Sequence, residues 1–174
     1  PRRRKGLGPP CCTWSKARHA YFKGGPRPLR LRGSRCWGVP WLSPWEQIRV
    51  REGNTLLLNM LALCEGVSTR GGGHAVEHPK DPGQEPFGSI WGTAEVQGVE
   101  ERTDSVRHLC DQCMHGVVSK KPACISGTLD GLEQPGPLCD GRCVHEPATG
   151  LQANGEFRST ALARYPKGLC AFLA

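Results

Sequence analysis

Apolar residues along this chain come in short bursts separated by polar stretches rich in glycine and proline, and the bursts follow two different periods. The longest, around Leu56 to Cys64, belongs to a helical pattern with a marked start: Ser43 suits an N-cap, Pro44 the first helical position, and Glu46 completes a capping box. The pattern predicts a helix from Pro44 to about Cys64, with Gly66 as its stop and Gly53-Asn54 as a weak middle that could divide it in two. Short runs predict strands over His74–Glu77, ended by Pro79, over Val106–Cys110 and over Ala123–Ser126. Gly71-Gly72-Gly73 is a turn, residues 80–87 a loop, and Ser89-Ile90-Trp91 a short helix or a loop anchor. Residues 1–7 are basic without periodicity, 8–42 read as loop, and 130–156 are polar and turn-rich. Pro166 opens a final helix to Ala174, with Leu169, Phe172 and Leu173 on its apolar side. No internal repeat is visible. Strands interleaved with helical patterns argue for an α/β class with a parallel sheet, although the strands are too few to complete a doubly wound one.

Composition sharpens this picture. With 174 residues there is enough chain for one domain and a modest core, and 23 Gly and 15 Pro against 6% aromatic residues predict short elements and long Gly/Pro-rich loops. The apolar run at Leu56–Cys64 is too short to span a bilayer, so a soluble protein without membrane partners is expected. Ten cysteines would permit disulfides, but adjacent Cys11-Cys12 suits no common small disulfide scaffold and no signal peptide opens the chain; the expectation is a reducing, intracellular compartment. The net charge of +7 is uneven: Arg2, Arg3, Arg4, Lys5, Lys16, Arg18, Lys23, Arg27, Arg30, Arg32 and Arg35 all precede the first acidic residue, Glu46. Such a block attracts polyanions through counterion release, and it is equally a solvated basic tail.

The most informative stretch is Gly8-Pro9-Pro10-Cys11-Cys12-Thr13-Trp14-Ser15-Lys16-Ala17-Arg18. It resembles the Gly-Pro-Pro-Cys-Gln-x-Phe-Ser loop of cytosine-C5 DNA methyltransferases, with Cys12 in place of Gln and Trp14 in place of Phe. A second stretch, His74-Ala75-Val76-Glu77-His78-Pro79, is similar to the strand ending in Glu-Asn-Val or Glu-Asn-Pro, with His78 for Asn. A third, Cys110-Asp111-Gln112-Cys113-Met114-His115-Gly116 followed by Lys120-Lys121-Pro122-Ala123-Cys124-Ile125, resembles the late strand pair carrying Lys-Pro-Thr in phage-type members. The three occur in the family's order. By that resemblance Cys11 is the nucleophile that attacks C6 of a flipped cytosine, and Glu77 is the carboxyl group that protonates N3. Ser15, Arg18, Lys120 and Lys121 stand near the nucleic acid, DNA by resemblance with RNA as the alternative. The paired prolines hold the thiol in place before substrate arrives, and Lys16 and Arg18 are candidates for the positive charge a thiolate needs. Each stretch alone also reads blandly, as a turn, a strand-end carboxylate and a surface turn.

The resemblance implies S-adenosylmethionine as methyl donor and a Rossmann-like methyltransferase sheet. The family's glycine-rich cofactor loop and acidic ribose contact lie upstream of Pro-Pro-Cys, where this sequence has only residues 1–7. The expectation is therefore a basic tail (1–7) and a partial methyltransferase-like domain (8–174), incomplete and inactive alone. Arg2–Lys5 also resembles a nuclear-targeting patch.

Two readings without catalysis compete. Cys110-x-x-Cys113 and Cys139-x-x-x-Cys143, with His108, His115 and His145 close by, supply the ligand types of a tetrahedral zinc site. Alternatively, the Arg-rich first 35 residues, with Trp14, Tyr21, Phe22 and Trp37 interleaved, could bind single strands by charge and stacking, whereas Trp41 and Trp45 read as anchors beside the helix start. Asp104, Ser105 and His108 lie close in sequence, but no nucleophile-elbow pattern accompanies them.

Overall fold

The computed structural model describes residues 4–20, 25–132 and 136–172. Its frame is a four-stranded sheet with helices against it. The strands are β1 (Arg4–Leu7), β2 (Gly73–Pro79), β3 (Val106–Asp111) and β4 (Pro122–Gly127), in spatial order β1-β2-β4-β3. β1 and β2 are parallel, joined by a crossover through helix α1 (Pro44–Ser68), while β4 runs antiparallel to both β2 and β3. The sheet is therefore mixed, not parallel: a parallel pair extended by an antiparallel pair, a common device in α/β folds. Residues 4–7, expected to be a structureless tail, form its edge strand, with Leu7 opposite Val76.

The capping box at the start of α1 forms as its sequence dictates: Ser43 Oγ accepts from the Glu46 amide (3.4 Å), and Glu46 Oε2 accepts from the Ser43 amide (2.9 Å). α1 is continuous through Gly53-Asn54 and passes Gly66, ending at Ser68, where the Gly72 amide donates to Val67 O (3.0 Å). Val50, Gly53, Leu57, Met60, Leu61 and Cys64 recur at helical spacing on its buried face.

A second helix, α2 (Ala94–Thr103), was not legible in the sequence: only Val96 and Val99 are buried in it, and Gly98 interrupts it. Thr93 caps it by accepting from the Val96 amide (3.4 Å), and Asp104 closes it in a left-handed conformation. Ser89-Ile90-Trp91 does serve as an anchor: Ile90–Gly92 is a 3-10 turn with Ile90 and Trp91 buried, and the Trp91 indole donates to Pro79 O (2.8 Å). Two short helices end the described chain, α3 (Arg158–Ala161) and α4 (Lys167–Phe172). Leu169 is buried as expected, while Leu173 lies outside the described residues.

Strand alternation divides the core. His74, Val76 and His78 of β2 face α1 and α2, joining Trp14, Leu57, Leu61, Cys64, Ile90, Trp91, Val96 and Val99. Ala75 faces the other way, into a smaller cluster with Cys110, Ala123, Ile125, Leu129, Leu132 and Leu169.

The loop between β1 and α1 is tied down by one buried guanidinium. Arg30, 1% exposed, donates to Thr13 Oγ1 (3.0 Å), Cys36 O (2.9 Å), Asn54 Oδ1 (2.7 Å) and Val50 O (3.1 Å), and its guanidinium lies 3.8 Å from the centre of the Trp14 ring. Burial pulls its pKa down to about 10, which leaves it charged at neutral pH. Gly53 makes room for it: a Cβ there would stand 3.1 Å from Arg30 Nη2 and 3.2 Å from Thr13 Oγ1. Gly→Ala inside a helix ordinarily stabilises by about 1 kcal/mol. Because Arg30 cannot shift without breaking its hydrogen bonds, Gly53→Ala should instead destabilise by about 1–3 kcal/mol, read from the urea midpoint; a stabilised variant would show that Arg30 is free to move.

Candidate active site

β1 and β2 run parallel, so their carboxyl ends lie side by side, and these ends carry the two candidate catalytic groups. Leu7 feeds directly into Gly8-Pro9-Pro10-Cys11, and Glu77 sits near the end of β2. The Trp14 amide donates to Cys11 O (2.9 Å), which folds the loop into a turn. Cys11 is half-buried, Cys12 is exposed, and Glu77 is buried.

Both oxygens of Glu77 are engaged. Gln112 Nε2 donates to Oε1 (2.9 Å) and the Tyr165 hydroxyl donates to Oε2 (2.8 Å). Burial raises the Glu77 pKa above the ordinary carboxyl value, against the opposing pull of Tyr165, Lys121 and Gln112. The Tyr165 ring is 43% exposed, but its hydroxyl turns inward over Gly8, where an added Cβ would lie 1.8 Å from it. Only glycine at position 8 admits this phenol. Next to Glu77 in a buried setting, Tyr165 holds its proton well above the ordinary phenol range.

The cation that acts on Cys11 is Lys121, not Lys16 or Arg18. Lys121 Nζ also donates to Leu162 O (2.8 Å). Burial dominates the Cys11 thiol and raises its pKa; Lys121 opposes this, and the neighbouring Glu77 and Cys12 add to it. Lys16 instead lies over the Phe87 ring at 4.8 Å, and Arg18 is buried. Ser15 caps the 3-10 turn Lys16–His19 by accepting from the Ala17 amide (3.1 Å). Lys120 pairs with Asp111 at 3.8 Å. Of the expected substrate-contacting set, Lys121 alone is coupled to both Cys11 and Glu77.

His78, at the Asn position of the resemblance, is buried between the rings of Trp14 and Trp91 (centroids 6.3 Å from each), and desolvation pushes its pKa down to about 3. It supports the nucleophile loop by packing against Trp14.

The cysteines separate into two environments. Cys110 is buried in the smaller core cluster, its thiol pushed up to about 11 by burial, and it is not among the residues whose ligand atoms converge. Cys113, Cys139 and His145 instead bring ligand atoms within 4.8 Å of one another. The aromatic residues offered for strand stacking are also used internally: Trp14 packs edge-on against Trp37 at 6.0 Å, and Tyr21 and Phe22 lie outside the described residues. Trp41 and Trp45, expected as anchors, are exposed. Much of the basic block is engaged too: Arg27 pairs with Glu46, Arg32 with Asp81, and Arg35 lies over Trp41. Sequence reasoning missed Tyr165 and did not single out Gln112 as a partner of Glu77, because both contacts are non-local.

The chain matches no family model, no curated protein and no solved structure. The fold class stands on the coordinates alone: mixed α/β, with a four-stranded mixed sheet. No helix among the described residues is long and apolar enough to cross a membrane.

Two pH effects follow. In the unfolded chain His78 takes up a proton near its ordinary value of 6.5, whereas in the folded protein it does so only near 3. Stability is therefore full above pH 6.5 and falls toward pH 3, with a slope of up to about 1.4 kcal/mol per pH unit. Urea titrations at several pH values should show this slope, and His78→Asn should flatten it. Cys11 should react slowly with iodoacetamide at neutral pH and faster as pH rises; Lys121→Ala should slow it further and Glu77→Gln speed it, whereas identical profiles would uncouple the three residues.

Proposed function

We propose that Cys11 and Glu77 form the base-capturing part of a pocket of the cytosine-C5 DNA methyltransferase kind. The observation that carries this reading is the placement of both groups at neighbouring carboxyl ends of a parallel strand pair, with Glu77 buried, its pKa raised by that burial, and its charge felt at the Cys11 thiol. Ligands of open α/β sheets bind at such strand ends.

In this chemistry the Cys11 sulfur bonds to C6 of a cytosine turned out of the duplex, while the Glu77 proton passes to N3 and keeps the displaced electron pair from building a full charge on the ring. Lys121 favours the thiolate that begins the step. The Tyr165 hydroxyl now occupies Glu77 Oε2, so a base that reaches that oxygen must displace the phenol. The internal engagement of Trp14, Trp37 and Arg30 supports a pocket over a stacking surface. DNA is the proposed partner, with RNA as the alternative polyanion, and a DNA substrate would place the work inside the cell, in the nucleus where there is one.

S-adenosylmethionine is the methyl donor that the resemblance implies. In the described residues β1 leads into Gly8-Pro9-Pro10-Cys11 and β2 into the loop Lys80-Asp81-Pro82-Gly83; neither opens a glycine-rich turn onto a helix N-terminus, so the residues present do not fit that cofactor. The base-capture step is testable without it. Reversible addition at C6 makes C5 exchangeable, so the chain should release tritium from DNA carrying [5-³H]cytosine. Cys11→Ser should abolish release and Glu77→Gln should reduce it by about 10²-fold or more. Folded protein that releases no tritium would remove the proposal.

A further inference from the structure

We propose that Cys113, Cys139, Cys143 and His145 form a tetrahedral structural zinc site that fastens the loop after β4 to the sheet. Three of these residues already converge, their ligand atoms lying within 4.8 Å of one another, with Cys139 Sγ 3.5 Å from His145 Nε2. Cys143, four residues beyond Cys139 on the same loop, is the fourth donor that the proposal adds to these three. It lies two residues from His145, with the exposed Val144 between them. Three thiolates and an imidazole form a closed structural set, and these soft and borderline donors select zinc over oxygen-preferring cations.

The surroundings fit this role. Cys113 lies on the 3-10 turn Gln112–His115, directly after β3. The other three ligands lie on a segment without regular structure, in which Leu138 and Val144 are exposed, so apolar burial contributes little to holding it. Asp111 Oδ2 accepts from the Cys139 amide (2.9 Å), the Asp111 amide donates to Pro137 O (3.0 Å), and the Glu146 amide donates to Val118 O (3.0 Å), so the ligand loop is clipped at both ends. Lys120 stands beside Asp111, at 3.8 Å, so a cation lies next to the carboxylate that holds the Cys139 amide. Gln112, which holds Glu77, is the immediate neighbour of Cys113, so the metal would also stiffen one wall of the Glu77 pocket.

The full chain, purified in the presence of zinc and desalted, should carry one zinc per molecule. Cobalt exchanged into it should give the visible bands of a tetrahedral, thiolate-rich site. Cys143→Ser and His145→Ala, at partly or fully exposed positions outside the sheet, should keep the circular dichroism of the parent and weaken zinc binding by at least about tenfold. Cys139→Ser should do the same, while Cys110→Ser should retain full zinc stoichiometry. Folded parent protein without stoichiometric zinc overturns the site. Parent-like affinity in Cys139→Ser, Cys143→Ser or His145→Ala, or loss of metal in folded Cys110→Ser, overturns the ligand set.

Discussion

The Arg30 guanidinium sits where three segments would otherwise have no reason to meet. It joins the nucleophile loop at Thr13 and Trp14, the turn at Cys36 and the middle of α1 at Val50 and Asn54. A buried cation without a carboxylate is costly, and it persists only where neutral acceptors surround it. Here two carbonyls, a hydroxyl, an amide oxygen and an indole face do so. Everything near Cys11 depends on this arrangement, since Trp14 carries the loop on one side and packs against His78 of β2 on the other. The position of the thiol relative to Glu77 therefore follows from a group well away from both.

The opposite face of the sheet has its own organisation. Gln112 reaches from the end of β3 to Glu77, and Tyr165 reaches the same carboxyl group from the segment between α3 and α4. Lys121 has its ammonium on Leu162 O and its charge felt at both Cys11 and Glu77. The C-terminal segment thus closes over the start of the Pro-Pro-Cys loop, and side chains from three parts of the sequence act on one carboxylate. That closure depends on Gly8, the first residue of the Pro-Pro-Cys loop.

Local chemistry was legible and long-range engagement was not. The α1 cap, the β2, β3 and β4 strands and the Ile90-Trp91 anchor announced themselves because caps, alternation and prolines act on neighbours. β1 was hidden because basic residues mask a strand whose partner lies about 70 positions away, at Gly73–Val76. α2 was hidden by its sparse apolar face. Nothing local distinguishes Arg30 from the other arginines of the basic block, although one is core and several pair at the surface. Cys110 was grouped with Cys113 by spacing, but the strand pleat sends Cys110 into the core while Cys113 lies beyond the strand end. Cys11 and Glu77 were both named from the sequence, and the sheet puts them together; Tyr165 belongs to that site only through the fold.

The acceptors around Arg30 divide into two kinds with different evolutionary freedom. Cys36 and Val50 contribute backbone carbonyls, which any residue at those positions would offer, so the hydrogen bonds themselves leave their side chains free to drift. Thr13 and Asn54 contribute side-chain oxygens, Trp14 a ring, and Gly53 the absence of a side chain. In diverging copies of this chain, positions 13, 14, 30, 53 and 54 should change together or not at all, a covariation signature scattered over some 40 residues that marks descent from this architecture even after the Pro-Pro-Cys loop has decayed.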